Sequence, residues 1–207
     1  MKTETERSFT VKRGDALVVV DLQNDFLPGG TLAVPQGDRI ISPLNAVIQK
    51  FQKENLPLFF TRDWHPPHHS SFLESGGSWP AHCVMDTKGA TFATALTIPE
   101  EAVIISKASE SDRDEYSGLR GFDSDGNRLD EILKRKNIGR VVIGGLATDY
   151  CVLTTVLDAL DLGYEVYVLT DAVSAVNVKP DDGRRAIHTM KDRGARFLTA
   201  KSIGQLT

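Results

Sequence analysis

The sequence predicts an α/β protein, doubly wound, with a mainly parallel six-stranded sheet and helices on both faces. Three observations carry this. Six short apolar runs rich in β-branched residues alternate with longer amphipathic stretches. The runs are apolar at successive positions, as strands covered by helices above and below must be. Hydrophobic residues make up 41% and charged residues 25% of 207, enough for one sizeable core without a bias toward disorder. That length suits a single domain over residues 1–207.

In chain order, the first strand is expected over residues 16–20 and the first helix over 40–54. A strand at 57–61 follows, then one at 103–106 and a helix at 127–136. Residues 140–144 read as a strand and 149–162 as a helix, stopped by Gly163; 165–170 read as a strand and 182–193 as a helix, stopped by Gly194. The sixth strand is 195–199. One interval breaks the alternation. Residues 64–101, rich in Pro, His, Ser and Gly, far exceed the usual connection of about 4 to 6 residues. They hold both tryptophans and four of the five histidines (His65, His68, His69 and His82), so a structured functional loop is expected at about 63–101.

Charge sets outer limits. Lys plus Arg number 24 against 28 Asp plus Glu, a net of -4. Such a surface offers no general attraction to nucleic acid or anionic lipid. The first fifteen residues mix both signs and contain no leader-like apolar stretch, and no run reaches the roughly 20 apolar residues of a membrane helix. A cytoplasmic location is expected. Cys83 and Cys151 form no C-x-x-C pair and no disulfide framework, so each thiol is judged alone.

In doubly wound sheets, binding groups gather beyond the carboxyl ends of the strands. There the sequence places Asp21, then Asp63 and His65, then Lys107, then the segment 147–151. Gly144-Gly145-Leu146-Ala147-Thr148-Asp149-Tyr150-Cys151 passes from strand to helix, with Thr148 or Asp149 as cap. Cys151 in the first turn would have a lowered pKa, and the Ala147 and Cys151 amides could hold an oxyanion. Asp21 is a candidate base and Lys107 a candidate cation. The plain alternatives are a buried helix cysteine, a turn aspartate and a solvated lysine. In an extended segment Asp63 and His65 project from one side and could share an ion with His82 as third ligand and His69 as a candidate fourth. Two imidazoles and a carboxylate with open positions suit zinc, manganese or iron; the alternative is hydrogen-bonded loop histidines. Cys83, beside His82, reads as a small buried residue rather than a ligand.

With these residues assembled, the chain resembles the nicotinamidase branch of the isochorismatase-like cysteine hydrolases from about residue 16 onward. The likeness rests on Val18-Val19-Val20-Asp21-Leu22-Gln23-Asn24-Asp25-Phe26 with Pro28-Gly29-Gly30, on Asp63-Trp64-His65-Pro66, on Trp79-Pro80-Ala81-His82-Cys83, and on the Gly145–Cys151 turn. It implies a Cys151, Asp21 and Lys107 triad, and one divalent ion, zinc first with manganese or iron as alternatives, held by Asp63, His65 and His82. It further implies a cis bond from Leu146 to Ala147, an oxyanion hole from Ala147 and Cys151, Phe26 and Trp79 flanking a pyridine ring, and Tyr116 lining the pocket. The implied reaction converts nicotinamide, with pyrazinamide as a further substrate, to the acid and ammonia through a thioester, as part of NAD salvage. No organic cofactor is needed, and self-association follows from the likeness.

The chain departs from the pattern at Ala108, where glycine is common, and at Leu119, where phenylalanine is, which bears on the placing of Tyr116. The rivals are an amidase for another small carboxamide and an isochorismatase-like hydrolase; the metal motif argues against both. A dinucleotide-binding α/β protein is the rival outside enzymes, and the first turn, Asp21-Leu22-Gln23-Asn24, lacks the G-x-G-x-x-G it would need.

Overall fold

The computed structural model describes residues 9–204. The charged segment read as carrying no leader therefore lies, for residues 1–8, outside the described residues. The strands in chain order are β1 (Phe9–Thr10), β2 (Asp15–Val20), β3 (Leu58–Asp63), β4 (Val103–Lys107), β5 (Arg140–Leu146), β6 (Glu165–Ser174), β7 (Arg196–Leu198) and β8 (Ile203–Gly204). The helices are α1 (Ile41–Lys53), α2 (Leu129–Arg135), α3 (Leu153–Asp161) and α4 (Asp182–Asp192).

β2 to β7 form a six-stranded sheet in the order β4-β3-β2-β5-β6-β7, parallel throughout. Every residue of β2 is buried, which explains its unbroken apolar run. Successive side chains leave opposite faces of a strand. Leu17 and Val19 accordingly join a core with Leu44, Val47, Ile48 and Phe51 of α1. Ala16, Val18 and Val20 join the other core, with Leu129, Ile132 and Leu133 of α2, Val156 and Ala159 of α3, and Met190 of α4. One helix covers one face and three cover the other, so the doubly wound expectation holds.

The buried positions of α1 recur at the spacing of one helical face. Burying side chains of that size contributes about 1.5–3 kcal/mol each. Gly163 and Gly194 have φ of 86° and 106°, the left-handed conformation that ends a helix. Asp15, buried at the start of β2, takes Arg140 Nε at 2.7 Å, and the Arg140 guanidinium lies 4.4 Å from the Phe9 ring. This ties the sheet to a feature absent from the sequence expectations, the parallel pairing of β1 with β8. Among the described residues no helix is long and apolar enough to cross a membrane.

Candidate active site

Asp21 follows the last residue of β2 in a left-handed conformation, φ 47°, and is completely buried. Lys107 ends β4 two strands away, with its side chain equally buried. Its Nζ lies 2.9 Å from Asp21 Oδ2, bonds Asp63 Oδ1, and reaches Glu115 O at 3.3 Å and Cys151 Sγ at 3.4 Å. An oxygen of Asp21, one of Asp63 and Cys151 Sγ lie within 4.8 Å of one another around this ammonium. Burial alone would strip Lys107 of its proton, but Asp21 and Asp63 outweigh it and hold the pKa well above its ordinary value. The solvated-lysine alternative is excluded.

Burial pushes Asp21 above the usual carboxylate range, against the opposing pull of Lys107. Burial acts in the same direction on Asp63, but there Lys107, His65 and His82 win and its pKa falls. The Cys151 thiol differs from expectation. Desolvation pushes its pKa well above the ordinary thiol value; Lys107 opposes this, while Asp21 and Asp63 add to it. A helix start favours the thiolate, but here the lost solvation of the buried sulfur outweighs that effect. Cys151 therefore rests protonated, and a neighbouring base has to remove the proton.

The local backbone also differs from expectation. Between β5 and α3 runs one turn of π-helix, Thr148–Val152, entered through Ala147, and neither Thr148 nor Asp149 caps it. The Asp149 carboxylate instead accepts the Val176 and Asn177 N–H groups at 2.9 and 2.8 Å, fastening the turn to the segment beyond β6. The Leu146–Ala147 peptide is cis.

Asp63, His65 and His82 each offer a ligand atom within 4.8 Å of the others, and all three are buried. His65 Nδ1 donates to Ala108 O at 3.2 Å and His82 Nδ1 to Pro80 O at 2.8 Å. A carbonyl only accepts, so both rings carry hydrogen on Nδ1 and leave Nε2 as the nitrogen available to a metal, the tautomer of metal-binding imidazoles. Burial pushes the His65 pKa down to about 4, keeping the ring neutral. These residues fit a divalent ion such as zinc. His69 is differently engaged: Nδ1 bonds Ser71 Oγ at 2.7 Å and Nε2 bonds Arg113 O at 3.1 Å, while its ring lies 4.3 Å from that of His65.

Residues that sequence reasoning passed over hold this loop in place. The Gln23 carboxamide takes the Asp63 N–H at 2.8 Å and donates to Asp63 O at 2.7 Å and Ala90 O at 2.9 Å. Asn24 Nδ2 reaches Lys88 O at 3.0 Å, and Asp25 Oδ2 accepts the Cys83 N–H at 2.8 Å. All three lie in the quoted Asp21–Phe26 motif, which was a signal in plain view. Cys83 is buried, as expected.

Phe26 sits 5.6 Å from the His82 ring. Trp79 Nε1 donates to Tyr116 Oη at 3.1 Å, so these two sequence-predicted residues touch each other, and burial raises the Tyr116 pKa to about 12. Tyr150, another residue passed over, meets Trp79 edge to face at 5.0 Å.

Comparison with known proteins identifies the relatives of the chain as a whole. The nicotinamidase of Escherichia coli is 39% identical over 203 residues, covering 89% of this chain and 94% of that one. Pyrazinamidase of Pyrococcus horikoshii, solved in complex with zinc, superposes with a TM-score of 0.83 at 49% identity, over 90% and 99% of the two chains. PnC1 from L. infantum, solved in complex with nicotinate, gives a TM-score of 0.84 at 31% identity, over 96% and 98%. With the family model described as Isochorismatase domain matching residues 15–202, the chain belongs to the isochorismatase family of hydrolases.

Proposed function

We propose that the chain is a nicotinamidase, hydrolysing nicotinamide to nicotinate and ammonia through a thioester on Cys151, with pyrazinamide as a further substrate and NAD salvage as the setting. One observation carries the reading: a single buried ammonium, Lys107, joins the base-and-thiol pair of Asp21 and Cys151 to Asp63 of the metal-donor set. A nucleophile and a ring-anchoring site built through one cation suit a small heteroaromatic amide.

Asp21 takes the proton from the Cys151 thiol, and the sulfur attacks the amide carbon. The developing oxyanion rests on the Ala147 and Cys151 amides. Asp21 returns the proton to the departing nitrogen, releasing ammonia and leaving the thioester. It then takes a proton from water, whose oxygen attacks the acyl carbon; the C–S bond breaks, Asp21 returns its proton to the sulfur, and the acid leaves as nicotinate, its own proton passing to solvent. Lys107 keeps Asp21 in place and offsets the negative charge that passes between sulfur and carboxylate. Phe26 and Trp79 pack the ring, with Tyr116 closing the pocket. Asp63, His65 and His82 would hold a divalent ion, which would supply Lewis acidity beside the heteroaromatic ring.

Ammonia release from nicotinamide, pyrazinamide and N-carbamoyl compounds tests the substrate. Turnover of the first two alone is expected. Cys151→Ala should lower it on the order of 10,000-fold or more while leaving metal content unchanged; undiminished ammonia release would end the proposal. The reading extends to a single domain over residues 1–207, a cytoplasmic enzyme acting on small molecules without nucleic acid or membrane, and a self-associating one, for which sedimentation is the check.

A further inference from the structure

Thr61 breaks the apolar run of β3 and is completely buried. A buried hydroxyl costs free energy unless it is bonded, and this one bonds a single partner of consequence. Thr61 Oγ1 donates to Asp21 Oδ1 at 2.6 Å, while Thr61 O accepts the Asp21 N–H at 3.1 Å. The same residue therefore holds both the backbone and the carboxylate of Asp21. Its own side chain has one place to go. A Cβ added to Gly118 would lie 2.7 Å from Thr61 Cγ2, so the methyl fills the space left by that glycine and the hydroxyl points to Asp21. Gly118 is fixed in turn by its N–H bond to Thr155 Oγ1 at 2.9 Å.

The two oxygens of Asp21 are consequently unlike. Oδ1 takes the Thr61 hydrogen; Oδ2 lies 2.9 Å from Lys107 Nζ but accepts no well-angled hydrogen bond, although it is buried. We propose that Thr61 is a positioning residue for the base, its hydroxyl occupying Oδ1 so that Oδ2 is the oxygen left to receive the Cys151 proton. In that step the S–H bond breaks, the electron pair stays on sulfur and an O–H bond forms at Oδ2. The terminal torsion of a carboxylate is broad and nearly two-fold, so with Lys107 beside Oδ2 but no hydrogen at Oδ1 the carboxylate plane is free to rotate out of line with the sulfur. A misplacement of about 1 Å can cost about 100-fold in rate. The inference rests on the cysteine-hydrolase reading above.

The test compares Thr61→Val, equal in shape without the donor, with Thr61→Ser, which keeps the donor and loses the methyl. The first readout is the rate constant for alkylation of Cys151 by iodoacetamide in natively folded protein, isolated by size exclusion and followed on the Cys151 peptide, which needs no amide substrate. The second is kcat and KM for nicotinamide, with zinc content and unfolding temperature as controls. Thr61→Val should slow alkylation and kcat together by about 10- to 100-fold, with KM within about two-fold. Thr61→Ser should return both to within about three-fold of the parent. Parent-like alkylation of Thr61→Val would overturn the proposal, as would a Thr61→Ser variant as slow as Thr61→Val, since the methyl would then be what matters. If Thr61→Val fails to fold, Thr61→Ala takes its place in the comparison. A parent chain that releases no ammonia from nicotinamide defeats the proposed function, while the alkylation comparison still decides the part played by Thr61.

Discussion

Lys107 is a cation cut off from water, and the two carboxylates beside it would repel each other in its absence. Removing one partner of a buried ionic cluster costs about 3–5 kcal/mol because the remaining charges stay unpaired. Lys107→Met should therefore abolish turnover and, in chelated protein, lower the unfolding temperature by roughly 6–20 °C, taking about 2–4 °C per kcal/mol. The pH dependence follows from the sign of the shift. The folded pKa lies above the ordinary 10.5, so the stabilisation is fully present below that value and is lost only as pH rises through the raised one. Parent and variant should differ by the same amount at neutral pH and at about pH 9; a gap that closes between them would show that Lys107 is not the charged partner. The residue types of this cluster were legible in the sequence because each follows a strand. The state of Cys151 was not, since a helix-start argument contains the dipole but not the depth of burial or the two carboxylates around the sulfur.

At the scale of elements, the strands were legible because burial on both faces writes itself as a continuous apolar run, and the helices because their buried positions recur on one face. The π-helical turn was not. It is fastened by Asp149 to backbone 27 and 28 residues away, a contact that no local pattern encodes. The long loop was recognised as structured, but Gln23, Asn24 and Asp25, which fasten it, lie far from it in sequence. A glycine in β5 shows how closely these elements approach. Gly145 has φ +127° and pairs with Val20; a Cβ there would stand 2.0 Å from Val20 O, a backbone atom that cannot swing aside. Gly145→Ala should cost more than about 4 kcal/mol and leave little soluble protein. Gly139, around which a Cβ meets nothing within 4 Å, is the control: Gly139→Ala should shift stability by no more than about 0.5 kcal/mol. Soluble yield and thermal unfolding of the pair check this, and a well-folded Gly145→Ala would mean that β2 and β5 do not meet in this register.

For the whole molecule, the strand order reverses direction between β2 and β5, and the crevice beyond that reversal is where a doubly wound sheet binds ligands. A dinucleotide-binding protein would use the same place, which is why fold class alone did not decide function. Here the crevice is filled by Asp21, Thr61, Lys107 and Cys151 rather than by a glycine turn open to a pyrophosphate. Metal donors come from β3 and from the loop beyond it, so they meet only in the folded chain. An ion that binds the native state alone stabilises it by mass action, by about 2.7 kcal/mol at a free concentration 100 times its Kd. Chelation should thus lower the unfolding temperature by roughly 5–11 °C as well as suppress ammonia release, and added zinc should restore both. His82→Ala removes one donor from the loop while leaving Asp63 and the Lys107 cluster in place. Its unfolding temperature should respond little to chelator or zinc, whereas Cys151→Ala should respond as the parent does. Equal zinc responses of the His82→Ala variant and the parent would place the ion elsewhere and separate metal binding from this end of the sheet.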